Sequence, residues 1–335
     1  MKRLSRLWQG FQNLVSTQET GEVMALFRIF TGVIVVWVLA SMFTTGIIDI
    51  VWVDRIHGGY RALGEGSTLV KWLGGPKPTV IHSLGIVTLV GGALVTLGLG
   101  GRLSAFVTLQ GYMALHRLDG NASGSSDILV TNGLWLIVLA NSTATWSLDC
   151  KIRTGRFVSN DKISAFPRYL GILQLIVMYW ATGVQKVSVY WFPAGSYSAL
   201  YYVLQQPTWQ RFSMAWAAKF YPLTQIATAV TWLWEFTAPI LFVVYWYRYT
   251  RERPGRVRAW FNKKDLRLPW IFVGIVLHLM ILAAMDVSHF SQMSLAFYVC
   301  FWTPDEVVNF LRRAARKNKS APSPADAREN AVSKT

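Results

Sequence analysis

Seven stretches of this chain are apolar for long enough to cross a bilayer, and that removes most folds at once. They fall at about 24–46, 80–100, 102–119, 127–147, 166–188, 221–247 and 269–290, with an eighth, shorter run at about 291–304. A hydrocarbon core is spanned by about 20 helical residues. Without water, every peptide group inside it must be satisfied within the protein, which leaves helices or closed barrels. Runs of this length select helices. The predicted fold class is therefore all-α, a polytopic transmembrane helical bundle of about eight spans. Segments 50–79 and 190–220 are rich in Trp, Gly and Pro and read as interfacial, amphipathic or re-entrant helices.

Composition fits a bilayer as solvent. Charged residues make up 15% of the chain, against about 25% in soluble domains. The 16 Trp, 13 Tyr and 18 Phe suit aromatic belts at two interfaces. A net charge of +16 would suit nucleic acid. Here, however, the basic residues stand in short segments between apolar runs, as topology signals do, so no nucleic-acid partner is expected. Arg248, Arg251, Arg253, Arg256, Arg258, Lys263, Lys264 and Arg267 crowd one such connection, and Arg312, Arg313, Arg316, Lys317 and Lys319 crowd the tail. The bias predicts both termini on the cytoplasmic side of a cell (inner) membrane. No cleavable leader is evident. Three regions follow: a cytoplasmic amphipathic N-terminus at 1–23, a bundle at 24–304, and a basic, partly disordered cytoplasmic tail at 305–335. Cys150 and Cys300 are the two cysteines, in no metal-type spacing, and no disulfide is expected on the cytoplasmic side.

Ionisable residues inside apolar runs are functional candidates, because lipid makes them expensive. They are Arg28, Asp127, Lys186, Glu235, His278, Asp286 and His289. At 1.5 Å per residue, Lys186, Asp127, Asp286 and His289 fall toward the outer face, Glu235 and His278 near the middle, and Arg28 near the inner face. Lys186 carries the sharpest question. A desolvated lysine can lose its proton and serve as a base, whereas a lysine at a helix end can simply snorkel. Carboxylates and imidazoles converging near it suit proton transfer and equally suit a structural ion-pair network. Arg28 reads as a snorkel or a clamp on carbonyls. In Trp232-Leu-Trp-Glu235-Phe-Thr-Ala-Pro239, the proline frees a backbone carbonyl near the glutamate. His278 and His289 share a helix face, but no second helix offers the matching pair that stacked haems need. A transporter would show inverted repeats and paired broken helices, and none is visible.

Four sets of residues resemble the HTTM superfamily, which includes the membrane domain of vitamin K-dependent gamma-glutamyl carboxylase. They are Arg28 to Gly32, Asp127 with Ser147-Leu148-Asp149, Gly183-Val-Gln-Lys186 with Trp191 and Gly195-Ser-Tyr197, and Glu235 to Pro239 followed by His278, His289-Phe-Ser291 and Phe301. The resemblance covers residues 24–304. It implies Lys186 as the catalytic base that starts oxidation of a reduced quinone of the vitamin K type by O₂, with Asp127, Glu235 and His278 as supporting catalytic groups. It also implies a peptide substrate modified at an outward-facing site. In the carboxylase a large lumenal portion helps present that substrate, and here a soluble accessory protein is the expected substitute. The carboxylase histidine near the fourth span is replaced in its neighbourhood by Asp127. A second branch of the superfamily, small bacterial proteins that mature a secreted peptide toxin, implies the alternative of a non-catalytic maturation or export partner of a secreted peptide.

Overall fold

The computed structural model describes residues 2–63 and 67–319. The chain opens with an amphipathic helix, α1 (Lys2–Val15), and a short strand, β1 (Gln18–Thr20). Then come α2 (Glu22–Thr44), α3 (Ile47–Val51), α4 (Thr68–Trp72), α5 (Pro78–Leu97), α6 (Gly101–His116), α7 (Ser125–Leu139) and α8 (Leu148–Thr154). After β2 (Lys162–Ser164) follow α9 (Phe166–Gln185), α10 (Ala199–Leu204), α11 (Tyr221–Phe236), α12 (Ile240–Tyr249), α13 (Arg256–Lys264), α14 (Arg267–Ala284), α15 (Phe290–Tyr298) and α16 (Pro304–Lys319). Each apolar run contains helix, and the segments at 50–79 and 190–220 form short helices and single 3-10 turns.

Of the expected eight spans, the structure bears out three by length and composition. Among the described residues, α2, α5 and the stretch Arg256–Ala284 are long and apolar enough to cross a membrane; α11 and α12 together make a fourth if they are one span. α11 and α12 are bent by 51° at Thr237-Ala-Pro239, where the proline lacks a donor for the ladder. α7 ends at Leu139, short of the expected 147, because Asn141-Ser-Thr-Ala-Thr offers hydroxyl and amide groups that compete with helical bonding. The final run is divided between α15 and a 3-10 turn at Val299–Phe301. The all-helical expectation also missed one feature: β1 and β2 pair antiparallel, Glu19 opposite Ile163. The disorder expected from Ser320 onward lies outside the described residues.

α2 is the central helix. It packs on α5, α7 and α15, and buries Phe27, Val35 and Leu39. Its other face leaves Phe30, Val33 and Trp37 uncovered. α5, α6, α9 and α14 likewise turn Val90, Phe106, Val177 and Phe272 outward. So much exposed apolar side chain on helices long and apolar enough to cross a bilayer suits lipid, and the protein is a membrane protein.

The end of the bundle near the start of α2 is fastened by arginines. Arg28 donates through Nη1 to Thr96 O (2.7 Å), through Nη2 to Trp146 O (2.7 Å), and also to Val95 O and Ser142 O. It is the carbonyl clamp of the two readings open in the sequence. Arg168 on α9 grips Glu19 in β1, at 2.7 Å from Nε to Oε1. Arg267 joins Asp265 and Glu306, tying α14 to α16. The opposite end, where α2 and α9 finish, holds the polar groups described next.

Candidate functional site

Lys186 caps the C-terminus of α9, where the helix stops with φ −75° and ψ 69°. Its Nζ forms an ion pair with Oε2 of Glu235 on α11. Gly183, one turn earlier, makes this meeting possible. A Cβ there would lie 2.7 Å from Phe236 N and 3.1 Å from Glu235 Cβ, so only a glycine lets the two helices come this close. The ammonium also sits 4.8 Å from the centre of the Trp191 ring, an aromatic face that favours a cation. The side chains are 16% and 11% exposed, so the pair is largely removed from solvent but still reachable.

What reaches it is a cavity of about 330 Å³. Lys186, Glu235, Thr228 and Thr231 form its polar patch, and Leu200, Val203, Leu277, Met280 and Ile281 much of the rest. Thr228 is spoken for: its hydroxyl donates to Thr224 O and accepts from Leu200 N. The ion pair is therefore the principal polar feature in an apolar chamber.

His278 stands behind this chamber, buried on α14. Its Nε2 lies 2.6 Å from the Tyr179 hydroxyl, which accepts from the Tyr298 hydroxyl at 3.3 Å. Its Nδ1 has no partner among the described residues. Tyr179 precedes Lys186 by seven residues, two turns along the same face of α9. That spacing was visible in the sequence, yet the two tyrosines were not among the candidates.

Asp127 is elsewhere. It lies in the first turn of α7, where its Oδ2 accepts from Gly124 N at 2.8 Å. Its Oδ1 accepts from the Tyr112 hydroxyl at 2.8 Å, with His116 Nδ1 at 3.2 Å and His289 Nε2 at 3.4 Å. This group borders a second cavity of about 470 Å³, together with Arg211, Asp286 and Ser288. The two cavities are separated by a seam in which Gln210 pairs with Met285 and Asp286 N donates to Trp209 O. The structure thus brings together Lys186 and Glu235, pairs His278 with Tyr179, and places Asp127 across the seam. Tyr112 and His116 are the members of that second group that sequence reasoning missed: the tyrosine carries no charge to mark it, and His116 lies at the end of its apolar run. Among the described residues no group of three or more His, Cys, Asp or Glu is arranged to hold a metal ion.

Fold and site together define a class: a helical membrane protein with a buried ion pair set into an apolar chamber. The chain matches the HTTM domain over residues 18–247, and it belongs to the HTTM-domain family. The matched region includes Asp127, Lys186 and Glu235 and ends before His278. No curated protein and no solved structure matches the chain.

Proposed function

We propose that this is a quinol-linked membrane enzyme of the vitamin K-dependent carboxylase-like class, acting on a peptide, with Lys186 as its base. One observation carries the reading: the Lys186–Glu235 pair faces a chamber whose remaining wall is mostly apolar. A base for a lipid-soluble substrate needs that setting, because water would otherwise level both partners.

The chamber suits a reduced isoprenoid quinone, which combines a flat ring, two polar oxygens and an apolar tail. Its volume is near the lower end of ligand cavities, about 300–1,000 Å³, which is room for a ring with the tail left to lipid. Lys186 and Glu235 would hold the polar oxygens, and Trp191, Leu200, Leu277 and Ile281 the ring. When bound, such a group would supply electrons and an acidic hydroxyl. Within the pair, the proton can reside on Nζ as an ion pair or on Oε2 as a neutral hydrogen-bonded pair. Low polarity narrows the gap between the two states. With the proton on Oε2, Lys186 Nζ has a free lone pair and takes a hydroxyl proton. Trp191 then favours the resulting ammonium through its ring face. His278, hydrogen-bonded to Tyr179, is the supporting group on this side of the seam, and Asp127 in the neighbouring cavity takes no part in the proton step. The site opens to the outside of a bacterial inner membrane with both termini cytoplasmic, in an eight-segment bundle. There a secreted peptide and a soluble accessory protein can reach it.

The test is quinol oxidation by purified protein in liposomes loaded with a reduced naphthoquinone, read as oxygen uptake above that of empty liposomes. Wild type should exceed the blank and Lys186→Met should not. Equal rates in the two proteins, or none in wild type, would remove the base role.

A second reading, a carrier, draws on the 51° break between α11 and α12 just after Glu235, since broken helices frame many transport sites. Uptake of solute by the same liposomes, insensitive to quinol, would favour it. A third, a non-catalytic maturation partner, predicts specific capture of a secreted peptide by wild type and Lys186→Met alike.

A further inference from the structure

The second cavity carries chemistry that the Lys186 chamber does not use. Asp127 Oδ1 is an acceptor and takes the single proton of the Tyr112 hydroxyl at 2.8 Å. The Tyr112 oxygen also lies 3.1 Å from His289 Nε2. With its own proton given to the carboxylate, Tyr112 can only accept there, so Nε2 carries the imidazole hydrogen. In the neutral form of the ring, Nδ1 is then left with a bare lone pair. Nδ1 lies 2.9 Å from Ser288 Oγ, and the serine therefore donates to it.

Ser288 is also held unusually. Its φ is +55°, the left-handed region that a residue with a Cβ occupies only when its surroundings impose it. It is exposed at the wall of the 470 Å³ cavity while His289 behind it is buried. The same wall includes Arg211, whose Nε donates to Met285 O at 2.8 Å, fixing the guanidinium beside the seam. Opposite, Trp37, Val38, Met42 and Ile47 give the cavity an apolar side. The other ionisable groups facing it are His116 and Asp286.

We infer that Ser288 is a nucleophile and His289 its base, in a second site that takes an apolar carboxylic ester. Ser288 Oγ bonds to the carbonyl carbon as its proton passes to His289 Nδ1. Arg211 faces the oxygen that becomes negative. The carbon–alkoxy bond then breaks, and the leaving oxygen takes the proton from Nδ1. Water, deprotonated by the same nitrogen, releases the acid and restores the serine, so the sum is ester plus water to acid plus alcohol. Asp127 and Tyr112 are positioning residues: they hold His289 in the tautomer that leaves Nδ1 bare.

The experiment is labelling of the full-length, detergent-purified protein with an alkyl fluorophosphonate, which phosphonylates activated serines, followed by peptide mapping. The wild-type chain should be labelled at Ser288. Ser288→Gly, which accepts the positive φ, should be unlabelled while melting at the wild-type temperature. Tyr112→Phe keeps the ring but loses the relay; its limiting inactivation rate should fall by about 10²-fold, the lower range for a positioned base, with the half-saturating probe concentration unchanged. An unlabelled wild-type protein, label on another residue, or an unchanged limiting rate in Tyr112→Phe would each overturn the assignment.

Discussion

Lys186 and Glu235 meet across the contact between α9 and α11 because Gly183 offers no side chain to hold those helices apart. The ion pair and the helix packing are one feature, and a change to either should be felt in both.

Removing one partner should strand the other in an apolar chamber. Lys186→Met or Glu235→Gln should each lower stability, and breaking a buried pair in this way costs about 3–5 kcal/mol. The double variant Lys186→Met/Glu235→Leu replaces both charges with apolar groups and should recover most of that loss. Activity should stay absent in all three. Thermal melting in detergent, run as a double-mutant cycle, measures the coupling. Additive losses would show that the pair does not interact.

Gly183→Ala leaves every charged group in place. Its Cβ would collide with Phe236 N and Glu235 Cβ, so α9 and α11 must separate by a few tenths of an ångström or more. Quinol oxidation should fall with Lys186 and Glu235 both intact, and stability should drop by about 1–3 kcal/mol, as overpacking does. A variant with wild-type rate and melting temperature would mean that the close approach is unnecessary.

Arg28 should be intolerant of lysine. Its planar guanidinium serves the carbonyls of Val95, Thr96, Ser142 and Trp146 from one position, and an ammonium cannot present the same fork. Buried carbonyls left without donors predict a loss of about 3 kcal/mol or more for Arg28→Lys, read by melting. Gly98 should be equally strict: it holds φ +70°, and a Cβ would lie 2.7 Å from Arg28 Nη1. Gly98→Ala should therefore destabilise the same junction.

The helical bundle was legible because apolar length is a property of single segments. Lys186, Glu235 and the Arg28 clamp were legible because a charge in an apolar run demands a partner. What the sequence did not reveal was pairing. Nothing in one dimension tells that Asp127 faces Tyr112, His116 and His289 and not Lys186, since the choice depends on how α6, α7 and the turn before α15 converge. The bounds of the spans were less legible for a similar reason. Hydropathy counts Ala140 to Ser147 as part of a run, whereas the hydroxyl-rich Asn141-Ser-Thr-Ala-Thr stretch turns aside to receive Arg28. The capping box Thr303-Pro-Asp-Glu306 at the start of α16 was readable and was overlooked.

That capping box contributes to the acid sensitivity of the α14–α16 junction. Burial alone would raise the Glu306 carboxyl. The paired hydrogen bonds from Arg267 outweigh it, at 2.8 and 2.7 Å, with help from Thr303 N and Arg248, and bring it down to about 2. A carboxyl whose folded value is depressed contributes stability above its unfolded value, about 4.3, and that contribution is lost as pH falls toward the folded value. Wild type should thus hold its α14–α16 junction fully at neutral pH and loosen it below about pH 4.5, with loss continuing toward about pH 2. Glu306→Gln should melt lower at neutral pH and show a flatter acid dependence. The measurement is melting temperature against pH for both proteins. Parallel curves would assign the acid sensitivity to another carboxylate.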